Sequence, residues 1–244
     1  MLVCTDDAVG RVLAISGVWE PNVTAAFRRS LGPGDVCLDV GAHIGYYTLL
    51  ASRLVGRDGH VYAFEPSQPN YEALSTNLSR NGVDNVTALQ VAVGPAAGRA
   101  TLFEGPGTNS GGATLRRDLA ERRPVRPQKL EVEVRPIAAA VPERELARIR
   151  VVKIDVEGSE LEVLRSMTPV FEAGAPLAVF LELTPRWIVD GATEYVEQIC
   201  AAHRFKLYRL ASGYSLQGLF PGRLEEPARL ESIPSEQCDL LLQR

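Results

Sequence analysis

The chain is poor in the residues that build metal and disulfide scaffolds: its 244 residues include four cysteines and three histidines, and neither set clusters. Cys4, Cys37, Cys200 and Cys238 show no CxxC spacing, which argues against a zinc knuckle or a disulfide framework; they read as reduced thiols. His43, His60 and His203 are equally scattered, so a histidine-built metal cage is not indicated. No apolar run approaches the ~20 residues that cross a bilayer, and no membrane association is expected. The first ten residues, MLVCTDDAVG, have neither the basic stretch nor the apolar core of a secretory signal, so a cytoplasmic address is expected. A basic excess is missing too, because 26 Lys plus Arg face 30 Asp plus Glu for a formal net charge of -4. Phosphate neutralisation supplies most of a nucleic-acid binder's affinity, so that partner class is disfavoured. Internal repeats and heptads are absent.

What is present fits a folded domain: 45% of residues are hydrophobic and 23% charged. At about 150 residues per domain, the length suits one large α/β unit. The turn Gly32-Pro33-Gly34-Asp35 leads into Val36 to Val40, a short apolar run suited to a buried parallel strand. A glycine loop, Gly41 to Gly45, then opens a helix from Tyr46 to Leu54 that Gly56 ends. The alternation continues with a strand over His60 to Glu65, a helix over Pro69 to Arg80 and a third strand over Val86 to Val93. Later come a strand over Val151 to Asp155, a helix over Ser159 to Met167, a strand over Leu177 to Leu183 and a helix over Thr193 to His203. Strands separated by helices imply right-handed crossovers and a parallel sheet covered on both faces. Phe205 to Leu210 and Cys238 to Leu242 have no crossover helix between them, so that last pair is expected to be antiparallel. Between residues 95 and 149 the alternation lapses into an inserted hairpin, Arg99 to Phe103 with Leu130 to Val134. The hairpin flanks an irregular Gly105–Gln128 segment, read as either a substrate-side lid or a mobile loop.

A glycine loop joining a parallel strand to a helix lies where doubly wound folds bind nucleotides. Gly41 and Gly45 admit ligand atoms close to the backbone, and Asp39 at the strand's end can accept hydrogen bonds from a cationic amine or from the loop's own amides. Glu65 ends the second strand, where an acid accepts from ribose hydroxyls. The loop reads GAHIG, without the middle glycine that brings a pyrophosphate onto the helix terminus. An acid beside such a loop suits a cationic ligand better than a diphosphate.

The strings DVGAHIGYYTLLAS, VYAFEPSQPNYEALSTNL and VVKIDVEGSELEVLRS together resemble the FkbM family of S-adenosylmethionine-dependent O-methyltransferases. The likeness runs from about Gly17 to Thr184 and includes the lead-in Trp19-Glu20-Pro21. It implies a Rossmann-like, class I methyltransferase sheet of seven mostly parallel strands with an antiparallel last strand. It also implies a lead-in over residues 1–34 that packs on the cofactor site, and a cofactor domain over 35–244. S-adenosylmethionine would then be held by Glu20, Asp39, Gly41, His43, Gly45, Glu65, Pro66, Ala92 and Asp155, with the adenine near Ala92 and Val93. Relatives usually carry asparagine where His43 sits.

Methyl transfer to an alcohol needs the acceptor oxygen held in line and its proton accepted. Asp155, at the fourth strand's carboxyl end, is the first candidate for base or orienting group; Glu157 and His43 are the others. A dipole-favoured acid before a helix explains Glu157 equally well. Lys153 reads as an ion-pair partner for a neighbouring acid. Asn109 and Ser110, in a polar glycine stretch, and Glu182, ending the fifth strand, are assigned to the substrate or lid side. Asp155 with Glu182 would suit Mg²⁺, but two acids do not complete its oxygen shell, so no metal ligand is assigned. The expected partner is a small hydroxylated acceptor, and a homodimer is compatible with the sequence. The alternatives are a nicotinamide-dependent oxidoreductase and a binding module without turnover. A nucleic-acid methyltransferase is disfavoured by the absence of an Asn/Asp-Pro-Pro-aromatic motif after the fourth strand.

Overall fold

Val36–Val40 is buried along all five of its residues, as a parallel strand must be when helices cover both faces of its sheet. The computed structural model describes residues 1–5, 8–105, 112–122, 124–183, 191–211, 222–234 and 236–244. In chain order, helices α1 (Ala8–Ser16) and α2 (Pro21–Ser30) precede strand β1 (Val36–Val40). Then come α3 (Tyr46–Val55), β2 (His60–Phe64), α4 (Gln68–Arg80) and β3 (Val86–Leu89). The insertion holds β4 (Ala92–Val93), β5 (Gly98–Glu104), α5 (Arg117–Glu121), β6 (Gln128–Arg135), α6 (Ile137–Ala140) and α7 (Glu143–Leu146). The second half comprises β7 (Ile149–Ile154), α8 (Glu160–Ser166), α9 (Thr168–Glu172), β8 (Ala178–Leu183), α10 (Ala192–His203), β9 (Lys206–Leu210), β10 (Ala228–Leu230) and β11 (Cys238–Gln243).

Among the described residues the main sheet has eight strands in the order β10-β9-β11-β8-β7-β1-β2-β3. The run from β8 to β3 is parallel, and β11 inserts antiparallel between β8 and β9, as expected for the last strand. The sequence pattern foretold seven of these; β10, a three-residue strand on the edge of β9, was too short and too polar to read. The third strand is also corrected. Only Val86–Leu89 pairs with β2, whereas Ala92 and Val93 turn away to join β6 in a second, three-stranded sheet with the β5–β6 hairpin. That sheet buries Ala92 together with Leu102 and Val132, and this local core draws the chain off the main sheet. Both amino-terminal helices also lay outside the sequence reading.

Alternation along the strands sends side chains to opposite faces. Leu38, Val40, Val152, Ile154 and Leu181 pack under α8 to α10, whereas Cys37, Val61, Val151 and Phe180 pack under α2 and α3. Phe27 of α2 is fully buried, with its ring 5.1 Å from Tyr47 and 5.5 Å from Phe180. Burying such a side chain stabilises by roughly 1.5–3 kcal/mol. Asp39, Lys153, Glu182 and Asp239 share the α2–α3 face by the same parity, and the register lines up Asp39 with Lys153 and Asp239 with Glu182. The sheet therefore delivers a row of ionisable groups to one edge. Among the described residues no helix is long and apolar enough to cross a membrane. All four cysteines are free.

Candidate functional site

A cavity of about 400 Å³ lies at the carboxyl ends of β1, β2 and β7, roofed by the small sheet. Its floor is the glycine loop. The Gly41 and Ala42 backbone N–H groups donate to the Phe64 carbonyl at 2.9 and 3.0 Å, which ties the exit of β1 to the end of β2. Gly41 has φ +85°, and a Cβ there would stand 1.9 Å from the Asp155 carbonyl oxygen, so the loop passes the β7 exit at backbone contact. Only glycine fits. His43 adopts φ 50°, a left-handed conformation that costs energy without a glycine, and its backbone N–H donates to Glu65 Oε2 at 2.7 Å. The other oxygen of Glu65 accepts from the Ser67 N–H at 2.9 Å, and the Asn70 side chain bonds to the same carboxyl. Burial pushes Glu65 up to about 7, against the pull of these donors.

Asp39 is 2% exposed and accepts from Thr48 Oγ1 at 2.5 Å, one turn into α3. Burial raises it to about 6, partly offset by Thr48 and Lys153. Next along the sheet edge, Lys153 is 1% exposed, yet its Nζ is 3.0 Å from Asp155 Oδ2 and 5.2 Å from the centre of the Tyr47 ring. Burial opposes its charge, but Asp155, Glu20, Asp239 and Glu182 together hold the ammonium protonated well above the usual range. Asp155 shows the reverse balance. Burial would raise it, but the Lys153 charge, hydrogen bonds from Lys153 and Glu182, and nearby His43 hold it below the ordinary carboxylate value.

Glu182 is pushed up to about 10 by burial and by the Asp155 and Asp239 carboxyls, and its Oε1 accepts from Gln237 Nε2 at 2.6 Å. Glu20, in a left-handed conformation at the head of α2, accepts the Tyr47 hydroxyl at 2.8 Å on Oε2; burial raises it to about 8. One oxygen each of Glu20, Glu182 and Asp239 lies within 4.8 Å of the others, a spacing at which a cation is favoured. Lys153 already brings its charge to this group. The Asp155-Val156-Glu157-Gly158 turn is fixed from outside, since Thr114 Oγ1 donates to the Glu157 carbonyl at 2.5 Å. It is also fixed from below, where the Gly158 N–H donates to the buried Glu160 at 2.9 Å.

The cavity gathers Asp39, Gly41, His43, Glu65, Pro66, Ala92, Asp155, Glu157 and Glu182 from the sequence reading. Glu20 and Gly45 do not line it. Glu20 instead accepts from the Tyr47 hydroxyl, and Gly45 is the N-cap of α3, where a Cβ would meet Leu74 Cδ1 at 2.5 Å. Asn109 and Ser110 lie outside the described residues. Sequence reasoning missed Thr48, Asn70, Glu160, Gln237 and Asp239, whose roles depend on which partner the fold brings to them. Thr48 alone left a signal, one helical turn after the glycine loop.

Comparison with known proteins places these features among relatives. The family profile described as the methyltransferase FkbM domain matches residues 39–210. The methyltransferase sdnD of Sordaria araneosa is 30% identical over 155 residues, 53% of this chain and 59% of that protein. The 31-O-demethyl-FK506 methyltransferase FkbM of Streptomyces tacrolimicus is 33% identical over 156 residues, 55% of this chain and 60% of that protein. The chain thus spans about 60% of the length of these curated relatives. Among solved structures, the methyltransferase FkbM from Methylobacillus flagellatus aligns with a TM-score of 0.53 at 15% identity, over 90% of this chain and 50% of that one. That is a likeness of fold.

Proposed function

The chain belongs to the FkbM methyltransferase family, and on that premise we propose that it is an S-adenosylmethionine-dependent O-methyltransferase acting on a hydroxyl of a small molecule. The observation that carries this reading is the character of the cavity. It presents buried carboxyls at Asp39 and Glu65 beside the apolar Val91, Ala92, Val93 and Leu102, and no Lys or Arg among its described lining residues. Such a lining of acceptors and apolar groups suits a ligand that is cationic at one end and aromatic at the other. A pyrophosphate would meet carboxylates, which counts against a nicotinamide dinucleotide.

The residues present fit the adenosyl donor. Glu65 already accepts from His43, Ser67 and Asn70, which leaves one of its roughly four acceptor directions for a ribose hydroxyl. Asp39 would accept from the amino group, and Val91 to Val93 would pack the adenine. Ala8, Val9 and Trp19 line one wall, and Leu102 and Thr114 line the roof. The bound donor supplies an electrophilic methyl carbon on a sulfonium.

Asp155, whose side chain is 34% exposed, accepts the hydrogen bond of the acceptor hydroxyl and so fixes its direction of attack. As an O–C bond formed and the sulfonium C–S bond broke to release a neutral thioether, the hydroxyl proton would become strongly acidic. Even a carboxylate of lowered basicity then accepts it, so Asp155 serves as both orienter and late proton acceptor. His43 and Glu157 border the same space, and Glu182 and Trp19 shape the acceptor end. Transfer of labelled methyl from S-adenosylmethionine to a panel of hydroxylated sugars and polyketides tests the reading. Asp155→Asn is expected to lower turnover far more than cofactor affinity. Turnover equal to wild type would remove Asp155 from this role.

A further inference from the structure

We propose that Glu182 carries a proton and donates it in a hydrogen bond to Asp155, so that Glu182 and Lys153 together position Asp155 as a permanent anion. The inference rests on the reading of Asp155 as the group that holds the acceptor hydroxyl, and it adds a positioning residue that does not itself act on the reacting atoms.

Ile154 pairs with Leu181, so Asp155 and Glu182 follow as neighbours at the tips of β7 and β8, and both line the cavity. Two carboxylates have only acceptors, so a hydrogen bond between these neighbours requires a proton. Two neighbours decide which partner keeps it. The Lys153 ammonium stands 3.0 Å from Asp155 Oδ2 and is buried there, which assigns the negative charge to Asp155. Gln237 Nε2 donates to Glu182 Oε1 at 2.6 Å, which suits the carbonyl oxygen of a neutral acid and leaves the other oxygen to bear the hydrogen.

The surroundings require the same assignment. Glu182 faces Glu20 from the head of α2, Asp239 from β11, and Lys153 and Asp155 from β7 and its exit, with His43 of the glycine loop beside Asp155. Four carboxyls around one ammonium would carry three uncompensated charges if all were ionised. In a buried site, protonation of the least well partnered acids relieves that repulsion. Asp155 has the lysine, and Glu20 has the Tyr47 hydroxyl at 2.8 Å. Among the described residues the hydrogen-bond donor to Glu182 is the neutral amide of Gln237.

The consequence for the reaction is geometric. A carboxylate held from two sides by donors cannot swing, so its remaining acceptor capacity points into the cavity in one direction. The neutral acid also lowers the negative charge at the acceptor end without loss of a donor.

The test uses the full chain without added ligand. Glu182→Gln is isosteric with a protonated glutamic acid and still donates, whereas Glu182→Leu does not. Infrared difference spectra of wild type minus Glu182→Gln at about pH 8, where an ordinary glutamate is ionised, are expected to show loss of a protonated-carboxyl C=O band. Loss of an ionised-carboxylate band instead would overturn the proposal. In the second measurement, ¹³C-carboxyl NMR follows the titration of Asp155 in the two variants. The titration is expected to stay low in Glu182→Gln and to move upward in Glu182→Leu; identical midpoints would also overturn the proposal. Calorimetry with S-adenosylhomocysteine on the same samples separates the two claims. Absence of heat with the protonated band present would remove the cofactor reading and leave the carboxyl pair standing.

Discussion

Glu65 closes two backbone loops at once, the left-handed His43 of the glycine loop and the Ser67 turn that begins α4. On the proposed reading its loss removes a ribose contact and loosens the floor of the cavity together. Glu65→Ala is therefore expected to weaken S-adenosylhomocysteine binding by about 1–3 kcal/mol, the range for a lost charge-assisted hydrogen bond, measured by titration calorimetry. An unchanged affinity would refute its ribose role. Lys153 makes a different case, because its removal leaves a crowd of buried carboxyls without their cation. Lys153→Met is expected to destabilise the fold by about 3–5 kcal/mol in urea denaturation, and a loss under 1 kcal/mol would contradict the balance described for this group. At this scale the sequence exposed the acids at strand ends, Asp39, Glu65, Asp155 and Glu182, because a strand followed by a turn marks its own tip. It did not expose the grouping of Glu20 and Asp239 with Lys153. That grouping depends on β11 inserting beside β8 and on α2 lying across the sheet, facts that no local pattern carries.

Helix α2 belongs to the core of the fold. It starts at Pro21, carries Arg28 and Arg29 in its last turn where the helix dipole favours cations, and seats Phe27 against Tyr47 and Phe180. Phe27→Ala is expected to cost about 3–5 kcal/mol in chemical denaturation. Because Glu20 is the N-cap of the same helix, the change should also lower cofactor affinity at temperatures where the fold survives; a variant that unfolds normally and binds normally would separate α2 from the site. Most strands were legible as apolar runs between turn residues, and β1 was read to the residue. The split of Val86 to Val93 into β3 and β4 was not legible, because one mostly apolar run, broken only by Thr87 and Gln90, serves two sheets and the choice is made by the partner β6. The short helices α5, α6, α7 and α9 span only four or five residues, too few for a helical period to declare itself.

Across the molecule, the site stores acids that hold their protons more tightly folded than unfolded. Burial lifts Asp39 to about 6, Glu65 to about 7 and Glu20 to about 8, whereas in the unfolded chain each titrates near 4. The folded state thus binds more protons throughout this window, and its stability must fall as pH rises through it. The urea midpoint of the ligand-free protein is expected to decline from about pH 5 to about pH 8, with Glu65→Gln flattening the part near neutrality. A midpoint that rises over this range would contradict the burial of these groups in ionisable form. The fold class was legible from the alternation of strands and helices, and the cavity's chemistry from the acid-flanked glycine loop. The protonation of the site was not, because it is a property of the assembled sheet edge. The most direct test of the account is calorimetric titration of the purified chain with S-adenosylhomocysteine and, separately, with NAD. The account predicts saturable binding of the first, weakened by Glu65→Ala, and none of the second; heat from NAD with silence from S-adenosylhomocysteine would contradict it.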